Sequence, residues 1–184
     1  MRISVVDWTH QFLKLYVKEG DICIDATAGN GGDMLYLAQL AGKEGSVTGF
    51  DIQPIALKHT REKLEKHGLD GTLYLDSHEN MAQYFEPESV SAIVFNLGYL
   101  PGGDHKLATK AESTIKALET SLLLLKKGGV ISLCIYSGGD SGFEEKEAVL
   151  SYLKELDHKK YLVVTNEFYN KPNHPPMPVF IIKN

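Results

Sequence analysis

The sequence predicts a doubly wound α/β fold built on a mostly parallel, seven-stranded sheet. Three observations carry this expectation. Short β-branched runs alternate with longer stretches of helical periodicity, and a glycine-rich turn follows the first strand. The last two strand candidates are separated only by Tyr169 to Met177, which is too short for a crossover helix, so they are expected to form an antiparallel hairpin.

In chain order, an amphipathic helix is expected over Asp7 to Lys18, with Trp8, Phe12, Leu15 and Tyr16 roughly on one face. Strands follow at Asp21 to Ala26, Ser46 to Asp51, Thr72 to Leu75, Val90 to Asn96, Gly129 to Tyr136, Tyr161 to Phe168 and Pro178 to Ile182. Helices occupy Asp33 to Ala41, Pro54 to His67, Leu107 to Leu125 and Gly142 to Leu156. Pro54 suits a first helical turn, and Gly68 suits a C-terminal stop. Strand, helix, strand repeated in this way implies right-handed crossovers with helices on both sheet faces.

Composition sets the outer bounds. The 184 residues, 43% hydrophobic and 23% charged, fit one globular domain over residues 1–184 with a core large enough to need no staple. Cys23 and Cys134 lie in apolar runs and are expected to be core thiols, neither nucleophiles nor half of a disulfide. No apolar run is long enough to span a bilayer and no signal pattern opens the chain, so a cytoplasmic protein is expected. The scattered histidines and unpaired cysteines give no metal constellation. A formal charge of −5 excludes a nonspecific nucleic-acid coat, although not an enzyme that grips one RNA loop.

The chemistry gathers around Asp25-Ala26-Thr27-Ala28-Gly29-Asn30-Gly31-Gly32-Asp33. A dinucleotide turn needs a third glycine or alanine, but Met34 stands at that position. Asp25 and Asp33 would also oppose a pyrophosphate. These carboxylates suit S-adenosylmethionine, a cationic sulfonium with an amino group and no phosphate. Asp25, Thr27, Gly29, Asn30, Gly31 and Asp33 are therefore candidate cofactor-binding residues, with helix capping as the plain alternative for Asp33. Asp51 ends the next strand about 20 residues later and can accept both ribose hydroxyls, with Gln53 beside it. Ser77 and His78, after the third strand, are placed to reach the adenine end, with loop and capping chemistry as the alternative.

After the fourth strand comes Asn96-Leu97-Gly98-Tyr99, which loosely resembles the Asn-Pro-Pro-Tyr element of amine-directed methyltransferases. Asn96 can orient an amine, Tyr99 can stack on a base, and Asp104 or His105 can take a proton from a protonated acceptor. His10, Tyr136, Tyr169, Lys171 and His174 are candidate substrate-binding residues, the last three on the terminal hairpin as an RNA-contacting lip.

Together, Asp25 to Asp33, Phe50-Asp51-Ile52-Gln53, Asn96 to Asp104, Tyr136-Ser137-Gly138-Gly139-Asp140 and the terminal Asn170-Lys171-Pro172-Asn173-His174-Pro175-Pro176 resemble the MnmM (YtqB) family. That family was long described as rRNA methylases. The resemblance implies a Rossmann-like class I methyltransferase that converts 5-aminomethyl-2-thiouridine to 5-methylaminomethyl-2-thiouridine at the tRNA wobble position. It implies the tRNA anticodon loop as partner, and the acidic overall charge then requires a local positive groove made from Lys106, Lys110, Lys171 and neighbours, within one chain or across a homodimer. The alternatives are a methyltransferase of the same fold acting on rRNA or a small amine, a nicotinamide-dependent oxidoreductase, and a noncatalytic RNA-binding module.

Overall fold

A computed structural model of the protein describes residues 3–97, 109–136, 142–172 and 175–184. The elements run α1 (Val5–Leu13), β1 (Ile22–Asp25), α2 (Gly32–Ala41), β2 (Ser46–Asp51), α3 (Pro54–Lys66), β3 (Thr72–Leu75), a 3-10 helix (His78–Gln83), β4 (Val90–Leu97), α4 (Ala111–Leu124), β5 (Leu125–Ile135), α5 (Gly142–Lys154), β6 (Tyr161–Thr165) and β7 (Met177–Lys183). The strands form one sheet in the order β3-β2-β1-β4-β5-β7-β6. The first five are parallel neighbours, and β7 lies antiparallel to both β5 and β6. This is the expected doubly wound sheet with its terminal hairpin.

Strand order reverses between β1 and β4, and in sheets of this kind ligands collect outside the strand ends at that reversal. One face of the sheet packs against α4 and α5 through Ala117, Leu118, Val149 and Leu153 over Ile24, Ile93, Phe95 and Ile131. The other packs against α1, α2 and α3 through Leu13, Met34, Leu37, Ala41 and Leu64. Phe180 of β7 is fully buried there and stacks on Phe12 at 3.7 Å between ring centroids. Burial of each such side chain contributes about 1.5–3 kcal/mol.

Met34, the residue that breaks the dinucleotide pattern, is fully buried against the sheet. A Cβ on Gly49 would meet its sulfur at 3.2 Å, and one on Gly71 would meet its methyl at 2.5 Å. The close helix-to-sheet approach is therefore supplied by glycines on the strand side, with a long side chain on the helix.

Several boundaries differ from expectation. α1 starts at Val5 because Ser4 and Asp7 form a capping box, and it ends at Leu13. Its buried residues are Thr9 and Leu13, whereas Trp8 is 39% and Leu15 73% exposed, so the expected apolar face is wrong for those two. β5 starts at Leu125 with a register irregularity before the regular ladder resumes at Val130, because Gly128 turns the chain at φ +75°. β6 stops at Thr165 and α5 at Lys154, short of their expected ends. α4 is described from Ala111, and residues 107 and 108 of its expected range lie outside the described residues. The 3-10 helix was not expected; Ser77 caps it by accepting from the Glu79 N–H. No helix among the described residues is long and apolar enough to cross a membrane.

Candidate active site

The glycine-rich turn leaves β1 at the sheet reversal. Gly29 and Gly31 take φ +51° and +72°, and a Cβ on Gly31 would lie 2.8 Å from the Thr60 backbone. Thr60, fully buried on α3, donates its hydroxyl to the Gly29 carbonyl at 3.1 Å and fixes the turn from below. This supporting residue was missed. Its signal was a polar residue on the Ala56, Thr60, Leu64 stripe that α3 buries.

Asp51 closes the turn from the next strand. Its Oδ2 accepts from the Gly29 N–H at 3.0 Å and its Oδ1 from the Gln53 N–H at 2.9 Å. Each oxygen keeps a further lone pair, and the side chain is only half-buried. Gln53 is buried at the start of α3, and the neighbouring Ile52 offers a half-exposed apolar surface. Asn30 is exposed, its amide oxygen accepting from His59 at 3.0 Å. Ser77 serves as a cap, and His78 donates from Nδ1 to the Ala26 carbonyl at 3.2 Å. Burial holds the His78 pKa below its ordinary value, favouring the neutral ring.

A second cluster forms where β1, β4 and α2 meet. Asp25 is 1% exposed and accepts from the Thr27 N–H at 3.1 Å. Burial holds its carboxyl well above the usual range, the charges of Asp33 and Asp51 push the same way, and the Thr27 N–H opposes them. Thr27 also accepts from the Asn96 N–H at 2.7 Å, joining the ends of β1 and β4. Asp33 is not the helix cap, because Gly31 occupies that position with no side chain. Its Oδ1 instead accepts from His10 Nε2 at 2.6 Å and its Oδ2 from Asn96 Nδ2. His10 stacks face to face on Tyr36 at 3.9 Å, and the Tyr36 hydroxyl donates to the His10 carbonyl at 2.9 Å. Tyr136 lies close enough to feel Asp33 and the Cys134 thiol. Its phenol is pushed up to about 12, mainly by burial.

One pH dependence follows from Asp25. Its pKa is higher in the folded state than in the unfolded state. Its stabilising contribution is therefore complete below the unfolded pKa and is lost as pH rises through the folded value. The ligand-free protein should lose stability above the ordinary carboxylate range, at up to about 1.4 kcal/mol per pH unit. Asp25→Asn keeps the acceptor for Thr27 and should abolish that slope. Melting curves across pH test this, and parallel profiles for the two proteins would mean that Asp25 ionises normally.

Other expected residues stand apart. Tyr169 is 94% exposed on the terminal hairpin. Lys171 donates to the Ile3 carbonyl at 3.2 Å and sits 4.3 Å from the Phe168 ring, so its ammonium is committed to bracing the hairpin against α1. Tyr99, Asp104, His105, His174 and Lys106 lie outside the described residues. Cys23 and Cys134 are buried, their thiols pushed up to about 12 chiefly by burial, as core thiols would be. Among the described residues no group of three or more His, Cys, Asp or Glu could hold a metal.

The arrangement tests cofactor fit directly. A diphosphate on this turn would find the Gly29 N–H already donated to a carboxylate, with Asp25 and Asp33 behind it. A cation bearing vicinal hydroxyls would find acceptors.

Comparisons with known proteins place the chain in a family of methyltransferases. Residues 47–182 match the family model described as "Putative rRNA methylase". The chain is 32% identical, over 99% of its length and 70% of the relative's, to a "tRNA (mnm(5)s(2)U34)-methyltransferase, chloroplastic" of Arabidopsis thaliana. A structure from Clostridium thermocellum, described as a "putative rRNA-methylase", superposes with TM-score 0.96 at 47% identity, each chain covered fully. A Streptococcus mutans "putative methyltransferase", solved in complex with SAH, superposes with TM-score 0.89 at 38% identity, again with full coverage of both.

Proposed function

This chain belongs to the "Putative rRNA methylase" family, and from that premise we infer that it is an S-adenosylmethionine-dependent tRNA methyltransferase. Its substrate is the aminomethyl group of 5-aminomethyl-2-thiouridine at the wobble position, and its product is 5-methylaminomethyl-2-thiouridine. The observation that carries the cofactor reading is the pair of carboxylates Asp25 and Asp51 at one turn whose Gly29 N–H is already taken by Asp51. The relative's activity, stated in its name, supports the substrate.

Asp51 would accept from the ribose hydroxyls, Gly29 leaves the backbone uncovered beside it, Gly31 lets the turn close onto Thr60, and Ile52 and His78 would border the adenine. Asp25 would favour a ligand ammonium, whose charge offsets the local excess of carboxylates. When bound, S-adenosylmethionine supplies an electrophilic methyl group. The amide oxygen of Asn96 would accept an N–H of the substrate amine and so turn its lone pair toward that methyl. The amine nitrogen would gain the methyl as the methyl carbon–sulfur bond breaks and S-adenosylhomocysteine leaves, and the resulting ammonium would release its proton to solvent. Positioning carries most of this reaction, because a neutral aliphatic amine is already a competent nucleophile.

Binding of RNA by an acidic chain needs local cations. A groove of about 410 Å³ lined by Asn30, His59, Glu62, Lys63, Lys66 and His67 runs along α3 from the edge of the glycine turn, and it would take phosphate contacts.

The deciding experiment is nucleoside analysis of tRNA from cells with and without this gene. Loss should leave the unmethylated aminomethyl nucleoside in place of the methylated one, and purified protein should restore the methyl group. An unchanged nucleoside profile would remove the wobble assignment and leave rRNA or a small amine as the acceptor.

A further inference from the structure

The connection from His10 through Asp33 to Asn96 has no place in cofactor binding as argued so far. Both Asp33 oxygens are engaged inside the protein, one by a ring nitrogen from α1 and one by the carboxamide at the end of β4. The carboxylate is 8% exposed, so its remaining capacity toward a ligand is small. An asparagine amide can rotate by half a turn and exchange its oxygen for its nitrogen at nearly equal cost unless a neighbour distinguishes them. Asp33 does so, because a carboxylate accepts and does not donate. With Nδ2 held by Asp33, Asn96 can present only its oxygen to the opposite side.

Asp33 is itself fixed. His10 lies 2.6 Å away, and its ring is clamped between that bond and a parallel stack on Tyr36, whose hydroxyl holds the His10 backbone. Trp8 on α1 donates to Asn166 at 3.1 Å, and Lys171 donates to Ile3, so the helix carrying His10 is pinned to the terminal hairpin as well.

We propose that Asp33 and His10 are positioning residues that lock the Asn96 carboxamide with its oxygen toward the acceptor, so that the site takes a nitrogen that still carries an N–H. This deepens the reading under Proposed function and rests on it for the identity of the acceptor. It removes Asp33 from the residues that hold the cofactor. It also makes α1 part of the active centre, because the helix supplies the residue that orients the orienting carboxylate. A tertiary amine, with no N–H to offer, is excluded as an acceptor.

The test compares Asp33→Asn, His10→Phe and His10→Gln with the wild type. Asp33→Asn replaces a double acceptor by a group with one acceptor and one donor, so either end of the Asn96 amide can face it and the orientation is no longer dictated. Its kcat should fall by roughly 100-fold, with KM for tRNA and Kd for S-adenosylhomocysteine within about threefold of wild type. His10→Phe keeps the stack on Tyr36 but removes the donor, and should lose roughly tenfold in kcat. His10→Gln, which restores an N–H, should recover most of that loss, a rescue that a packing role would not produce.

A readout independent of turnover is the Asn96 side-chain amide pair in a proton–nitrogen spectrum, assigned by its absence in Asn96→Ala. One proton should lie downfield in wild type and return to the main asparagine group in Asp33→Asn. If wild type fails to methylate the aminomethyl substrate, the substrate reading fails and the amide spectrum alone still decides this inference. The inference is overturned by an Asn96 amide signal unchanged in Asp33→Asn. It is equally overturned by a variant that loses S-adenosylhomocysteine affinity tenfold while keeping kcat at saturating cofactor, or by wild-type kcat in His10→Phe.

Discussion

Replacing Asp51 with Ala is expected to weaken S-adenosylhomocysteine binding by roughly 10- to 150-fold, equivalent to the about 1.5–3 kcal/mol of a hydrogen bond to a charged group. Two losses combine. The ribose would lose its charged acceptor, and the Gly29 and Gln53 N–H groups would lose the carboxylate that holds turn and strand end together. Asp51→Asn separates these, because its single carbonyl oxygen can keep one backbone contact but offers no second acceptor. It should fall between wild type and the Ala variant. Calorimetry measures both affinities, and a melting curve checks that the chain remains folded. Wild-type affinity in Asp51→Ala would place the sugar elsewhere and undo the cofactor assignment.

Asn96→Ala is expected to show the opposite pattern. Turnover should drop by about 100- to 1,000-fold, the range found when one preorganised polar group at a reacting centre is removed. Cofactor affinity should persist, because the Asn96 side chain touches Asp33 and not the glycine turn. Its backbone N–H, which donates to Thr27, is retained in the variant, so the junction of β1 and β4 should survive. Single-turnover methyl transfer to hypomodified tRNA, measured with saturating cofactor, isolates the step. A normal rate would discard the amine-orienting role. A simultaneous collapse of cofactor binding would instead show that Asn96 supports the pocket as a whole.

The strands of this protein were legible because each is a short β-branched run bounded by a turn signal. β2 and β3 match their expected ranges for that reason. The turn chemistry was readable too, since Asp25, Asp51 and the glycines lie at fixed offsets from those strands. The partners that complete the site were not. His10 and Asp33 are 23 residues apart and meet only because α1 folds against the same sheet face as α2. Local pattern contains no trace of such a contact. Asp33 offered two readings, a cofactor ligand or a helix cap, because an acidic residue in a first turn commonly caps. The cap position is taken by Gly31 in a left-handed conformation, which leaves the carboxylate able to reach across to β4. α1 was misjudged for a related reason. Phe12 and Tyr16 do pack inward as their spacing suggested, but Leu15 points to solvent and Trp8 spends its indole N–H on Asn166, while Thr9 and Leu13 complete the buried side.

The placement of β7 between β5 and β6 governs the order in which the protein can be completed. During synthesis β6 emerges before β7, the strand it pairs with among the described residues, and the outer edge of β5 waits for a partner more than 40 residues downstream. Until Val179, Phe180 and Ile181 arrive, a parallel half-sheet has an open flank and α1 lacks the ring on which Phe12 rests. Long-range pairing of this kind slows closure and leaves an adhesive border on the nascent chain. A ribosome stalled before β7 would therefore hold a chain with its catalytic end largely written but its sheet still unsealed.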